Sequence, residues 1–191
     1  MKFILIRPGC TDYDEQGRIQ GTLDVPLNDR GVREVDTEIE LLRQQKLTAI
    51  YSSSGQAARE TGKRIATALE LKLKKLDNMQ NLNHGLWQGM LIEDVRQKQP
   101  KVYRQWQDQP DSVRPPEGET LAEARWRVET VVGKLMKRHP DGVVGLVIPE
   151  PLASLVACFL VKRDVGDLWR AGCEHGRWEL IEMAAPSLAH S

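Results

Sequence analysis

Phe3-Ile4-Leu5-Ile6-Arg7-Pro8-Gly9-Cys10-Thr11 sets four apolar residues against an arginine, a proline and a glycine. A short apolar run closed by Pro and Gly reads as a buried strand, Phe3 to Arg7, that ends in a tight loop. Moving outward, Arg30 to Leu42 places Val32, Val35, Ile39 and Leu42 three and four residues apart, the spacing of one helix face. Leu47 to Tyr51 reads as a second strand. Gly55 to Leu69 repeats the helical spacing with Ala58, Thr61, Ile65 and Ala68, and Leu71 to Leu76 reads as a third strand. Asp77 to Glu119 is polar and rich in Gln, Asn and Pro. It is expected to be an irregular, cap-like insertion with a short helix at Ile92 to Gln97. Thr120 and Glu123 form a capping-box pair that starts a helix buried through Leu121, Ala124, Val128, Val131 and Leu135. Gly142 to Ile148 is a further buried strand, and Leu152 to Val161 is a nearly all-apolar helix behind Pro151. Trp178 to Met183 reads as the last strand, with a frayed tail from Ala184. Strands alternating with helices predict one α/β domain over residues 1–191.

Composition narrows the function classes. The chain has 191 residues, 40% hydrophobic and 28% charged, which suits a soluble globular domain. Lys+Arg and Asp+Glu are both 27, so no basic excess points to nucleic acid. No apolar run is long enough to span a membrane, and the N-terminal segment lacks the pattern of a signal peptide. Cys10, Cys158 and Cys173 are far apart and form no CxxC pair, which suggests neither disulfides nor a zinc knuckle. A cytoplasmic location is the expectation.

Several motifs recur in one order: Arg7-Pro8-Gly9-Cys10-Thr11, Gly17-Arg18-Ile19-Gln20-Gly21 and Asp24-Val25-Pro26-Leu27-Asn28-Asp29-Arg30-Gly31. They continue as Ile50-Tyr51-Ser52-Ser53 with Ala58 and Thr61, Gly85-Leu86-Trp87-Gln88-Gly89, and Pro115-Pro116-Glu117-Gly118-Glu119-Thr120-Leu121. Together they resemble the histidine phosphatase (phosphoglycerate mutase-like) superfamily across most of the chain. The resemblance implies a three-layer α/β/α fold with a mixed, mainly parallel sheet. Its crevice should lie at the C-terminal ends of the strands finishing at Arg7 and Ile148. The family attacks phosphorus with one His, holds the phosphoryl oxygens with two Arg and a second His, and protonates the leaving oxygen with a carboxylic acid.

Carried over position by position, the resemblance places the nucleophile on Pro8 and keeps the first arginine as Arg7. It places the early-loop Asn on Asp14, the second arginine on Ala57, the acid on Asn81 and the second His on Glu150. Arg59, two residues along a helix from Ala57, is expected to point the other way. Gly9, Cys10, Thr11, Arg18 and Gln20 complete the expected pocket. Arg7 is expected to be held by Asp14 or Glu150, with Glu150 standing in for the phosphate at a helix N-terminus. A phosphate ~4 Å from such a carboxylate, at an effective dielectric of ~20, is repelled by ~4 kcal/mol. That is roughly a thousandfold in binding. Loss of a nucleophile costs on the order of a millionfold in rate.

The expectation is therefore a non-catalytic relative with a binding, scaffold or regulatory role toward an unidentified protein or small molecule, and with no cofactor or metal. The alternatives are a repurposed enzyme using Asp14 and Glu150 as an acid/base pair, or a weak phosphatase. His84 reads as an ordinary loop residue, and His139, His175 and His190 match no motif. A metal site from Cys10, Asp14, His84 and Glu150 has no standard ligand spacing. Trp87, Trp126, Trp169 and Trp178 are expected to pack rather than bind.

Overall fold

The computed structural model describes residues 1–162 and 164–182. Lys2–Ile6 forms β1, and the chain then turns into a short helix α1, Asp12–Gln16. Thr11 caps α1 reciprocally with Asp14, and Gly17 ends it in the left-handed conformation, at φ 65°. Helix α2 (Asp29–Leu42) starts at Asn28, whose side chain accepts the Gly31 N–H. There follow β2 (Ala49–Ser52), α3 (Gln56–Ala68), β3 (Leu73–Lys75), α4 (Ile92–Lys98) and α5 (Pro100–Asp108). The chain continues through α6 (Leu121–Arg138), β4 (Val143–Val147), α7 (Leu152–Val161), α8 (Leu168–Ala171) and β5 (Trp178–Glu182).

The strands order as β3-β2-β4-β1-β5. All pairs are parallel except β5 against β1, with Leu5 opposite Leu146 on one side and Glu179 on the other. Alternate residues of β1 face opposite layers. Ile4 and Ile6 pack with Val35, Ile39 and Ile65 of α2 and α3, while Phe3 and Leu5 pack with Leu121, Val128, Leu152 and Val156 of α6 and α7. This is the expected three-layer α/β/α arrangement. Helix α7 buries Leu152, Ala153, Leu155, Val156, Ala157 and Leu160, more than one face of the helix, which is why its sequence lacks a broad polar face.

Several details differ from the sequence reading. β3 spans fewer residues than Leu71 to Leu76. Met183 and the tail from Ala184 lie outside the described residues. The 77–119 segment carries two helices rather than one. Pro100 sits in the first turn of α5, where a missing N–H costs no bond, so it starts a helix instead of breaking one. That segment is anchored by Arg127 of α6, which donates to the backbone oxygens of Asn78 and Asn81 and pairs with Glu119 at 2.8 Å. Trp87, Trp106 and Trp169 pack together, with Tyr103 stacked on Trp169. Trp126, expected to pack, is 72% exposed on α6.

Candidate active site

A crevice of about 330 Å³ opens beyond the C-terminal ends of the parallel strands. Three pieces of chain frame it. The loop after β1 supplies Pro8, Gly9, Thr11 and Asp14, the start of α3 supplies Ala57, Ala58 and Arg59, and the turn after β4 supplies Pro149, Glu150 and Pro151. The 77–119 segment adds a wall through Gln80, Asn81, His84 and Trp106. Close backbone packing fixes the first loop. A Cβ on Gly9 would overlap Gly31, and one on Gly31 would overlap the Cys10 carbonyl, so both positions need glycine.

Of the expected pocket residues, Gly9, Thr11, Asp14, Arg18, Gln20 and Glu150 line the crevice, as do Pro8, Ala57 and Asn81. Arg7 and Cys10 lie behind it. Arg7 is 4% exposed and donates through Nε to Glu150 Oε1 at 2.8 Å and through Nη2 to Glu179 Oε1 at 2.8 Å. Its partners are thus Glu150, as one alternative held, and Glu179 of β5, which the sequence reading missed; Asp14 is not among them. Burial works against the Arg7 cation, but the two carboxylates outweigh it and hold its pKa above the ordinary value. The other Glu150 oxygen accepts from the Ser154 backbone N–H and hydroxyl in the first turn of α7. Burial pushes the Glu150 pKa up against these partners.

Asp14 accepts from the Thr11 N–H and hydroxyl, both at 2.7 Å. Burial raises its pKa despite those bonds. Asp14 and Glu150 are both committed to structural partners, so an acid/base pair made from them finds no support. Asn81 is committed as well: its amide donates to the Glu150 carbonyl and its oxygen accepts the Leu82 N–H. The Cys10 thiol is buried and pushed up to about 11, mainly by burial and then by Asp14, so it is not a thiolate.

Arg59 corrects an expectation. It lines the crevice together with Ala57, because its long side chain folds back to the Ser54 carbonyl at the open first turn of α3, and it approaches Asp24 at 3.8 Å. Arg18 lines the crevice too, tied to the Gly89 carbonyl at 2.7 Å.

Two histidines also face the crevice. His84 is buried against Trp106, with 4% of its surface exposed, its Nδ1 has no hydrogen-bond partner, and burial lowers its pKa to about 4. His175 lies in the loop before β5, and its Nδ1 is 2.8 Å from Glu34 Oε2 of α2. Sequence reasoning passed over His175 because the residues that place it are more than a hundred positions away. Among the described residues no group of three His, Cys, Asp or Glu side chains is arranged to hold a metal ion.

Comparison with known proteins decides the family. Residues 3–187 match the histidine phosphatase superfamily (branch 1). The chain belongs to the histidine phosphatase superfamily. It is 32% identical over 183 residues to phosphoserine phosphatase 1 of Hydrogenobacter thermophilus, covering 96% of this chain and 87% of that protein. It is 31% identical to the bifunctional protein Rv2228c of Mycobacterium tuberculosis, of which it spans half the length. The fold superposes with a TM-score of 0.84 on mycobacterial glucosyl-3-phosphoglycerate phosphatase, at 22% identity over 95% of this chain and 92% of that one. It superposes at 0.82 on the alpha-ribazole phosphatase of Shigella flexneri, at 21% identity over 96% and 91%.

These histidine phosphatase relatives correct the expectation of a non-enzyme. A relative matched nearly end to end is named a phosphatase, which points to phosphatase activity rather than to a scaffold. The Glu150 carboxylate is bonded to Arg7, as one alternative held, and also to Ser154, so the repulsion of ~4 kcal/mol reckoned for a free carboxylate overstates its effect on a phosphate. A side-chain nucleophile is also not the sole route to phosphate-ester hydrolysis, since a positioned water can attack phosphorus.

Proposed function

We propose that this chain is a weak phosphomonoester hydrolase acting on a small phosphorylated molecule in the crevice at the ends of β1 and β4. The nearly end-to-end similarity to a phosphoserine phosphatase carries this reading. The crevice supports it with two guanidinium groups, Arg18 and Arg59, on its lining. Both can meet the negative charge of a phosphate, and a guanidinium can bind two phosphate oxygens at once.

The route differs from the family's. Pro8 has no nucleophilic atom, Ala57 and Asn81 offer no charge, and Glu150 is bonded to Arg7. We therefore read positions 8, 57, 81 and 150 as lacking the family's catalytic groups. Water, not a side chain, attacks phosphorus. Without a covalent intermediate, turnover is expected to be slow, since positioning and charge stabilisation supply the acceleration.

The test is phosphate release from p-nitrophenyl phosphate and from phosphoserine by the purified chain. Slow, saturable release is expected, with Arg59→Ala and Arg18→Ala each raising KM severalfold. Release no faster than in buffer would overturn the reading.

A further inference from the structure

The loop before β5 is stitched to the loop that leaves β1. Arg7 N–H donates to the Arg177 carbonyl at 2.8 Å, and Gly176 N–H donates to the Pro8 carbonyl at 2.7 Å. This pair of bonds sets residue 175 beside position 8, where the superfamily carries its nucleophile. Gly176 holds the bend at φ 57°, and a Cβ there would strike the Glu34 carboxylate. The imidazole of His175 is thus placed by backbone from two strands that are neighbours in the sheet.

Glu34 fixes how that ring is turned. Its Oε2 accepts from the Cys10 N–H at 3.0 Å and lies 2.8 Å from His175 Nδ1, while Oε1 accepts from Arg30 at 2.8 Å. A carboxylate only accepts, so the neutral ring carries its proton on Nδ1 and leaves the lone pair on Nε2. His175 lines the crevice with its side chain 18% exposed. The charged groups around it are Glu34 and Arg30 of α2, Asp14 of α1, and Glu174 and Arg177 of its own loop. Glu174 and Arg177 pair with each other.

We propose that His175 is the general base of this crevice, with Glu34 as its positioning residue. This rests on the phosphatase reading above and supplies the group that reading lacks. As water oxygen bonds to phosphorus, His175 Nε2 takes the water proton. The bond from phosphorus to the ester oxygen breaks, and that oxygen leaves with the electron pair and is protonated by solvent. The products are an alcohol and inorganic phosphate, and the imidazolium returns its proton to solvent. Of the other crevice candidates, Asp14 is bonded to Thr11 and Glu150 to Arg7, and His84, although its Nδ1 has no partner, is a poor base because burial lowers its pKa to about 4.

Steady-state hydrolysis of p-nitrophenyl phosphate tests the assignment. His175→Ala should lower kcat by about a hundred- to ten-thousandfold, the usual contribution of a general base, with KM within about twofold. Added imidazole should restore part of kcat, which a structural role would not allow. Glu34→Gln should lower kcat about tenfold at near-constant KM, and Glu34→Asp should recover part of it. His175→Gln, which can keep a bond to Glu34, provides a folded counterpart if the alanine variant unfolds. It should be as inactive as His175→Ala. A wild-type chain without activity removes both this assignment and the function it rests on. Active wild type with undiminished His175→Gln, or a loss of activity in folded His175→Ala that imidazole does not touch, overturns the base alone. So does phosphate trapped covalently on the chain during turnover.

Discussion

His84 Nδ1 is buried without a partner, and burial holds the imidazole pKa at about 4 against an ordinary 6.5. The folded pKa is lowered, so above about pH 6.5 the residue is neutral in both states and contributes nothing to pH dependence. Below that, the unfolded chain takes up a proton that the folded chain refuses. Stability should therefore fall by about 3 kcal/mol between about pH 6.5 and 4 from this group alone. Urea unfolding of His84→Asn and wild type at pH 7 and pH 4.5 checks this: the variant should lose less stability on acidification. A second prediction concerns the buried Arg7–Glu150 pair. Glu150→Ala leaves Arg7 with Glu179 as its one ion-pair partner among the described residues and should cost about 3 kcal/mol or more in urea unfolding, because a buried cation loses a partner. Part of this was legible in the sequence. A carboxylate at position 150 opposite Arg7 follows from the resemblance and the rule that buried charges pair. Glu179 and His175 were not legible, since their placement depends on β5 pairing with β1 across most of the chain.

Among the elements, α2 and α7 announced themselves by apolar spacing and by an unbroken apolar run. The β1 strand did so by its run of four apolar residues. Helix α5 did not, because Pro100 and a polar surface masked a helix held by one buried tryptophan, Trp106. The wall that α5 gives the crevice depends on Arg127, which ties the preceding segment to α6. Arg127→Ala should destabilise the fold by about 2 kcal/mol, since the buried Asn81 carbonyl loses its Arg127 donor and Glu119 its ion-pair partner. It should also speed proteolysis within residues 77–119 before the rest of the chain. Gly31→Ala tests the contact between α2 and the first loop. The added methyl would meet the Cys10 carbonyl, so the variant should lose stability although alanine is the better helix former. Thermal unfolding checks both variants.

At the scale of the whole molecule, the sheet order sets the chemistry available. Two central parallel strands, β4 and β1, end side by side, and their loops face each other across the crevice. The antiparallel β5 then brings a loop from the far end of the chain to the same place. On the proposed reading, that arrangement sets His175 beside position 8, a proline, in the same crevice. The layers and the crevice position were readable from motif order. The proposed activity was not, because counting substitutions at the family's positions passes over His175 and the folding back of Arg59 onto the crevice lining. The most direct test is phosphate release from p-nitrophenyl phosphate by the purified wild-type chain, followed to many turnovers. Slow saturable release, weakened in KM by Arg59→Ala and leaving no phosphate covalently bound to the chain, is the predicted result. A rate equal to that of buffer alone would contradict the account.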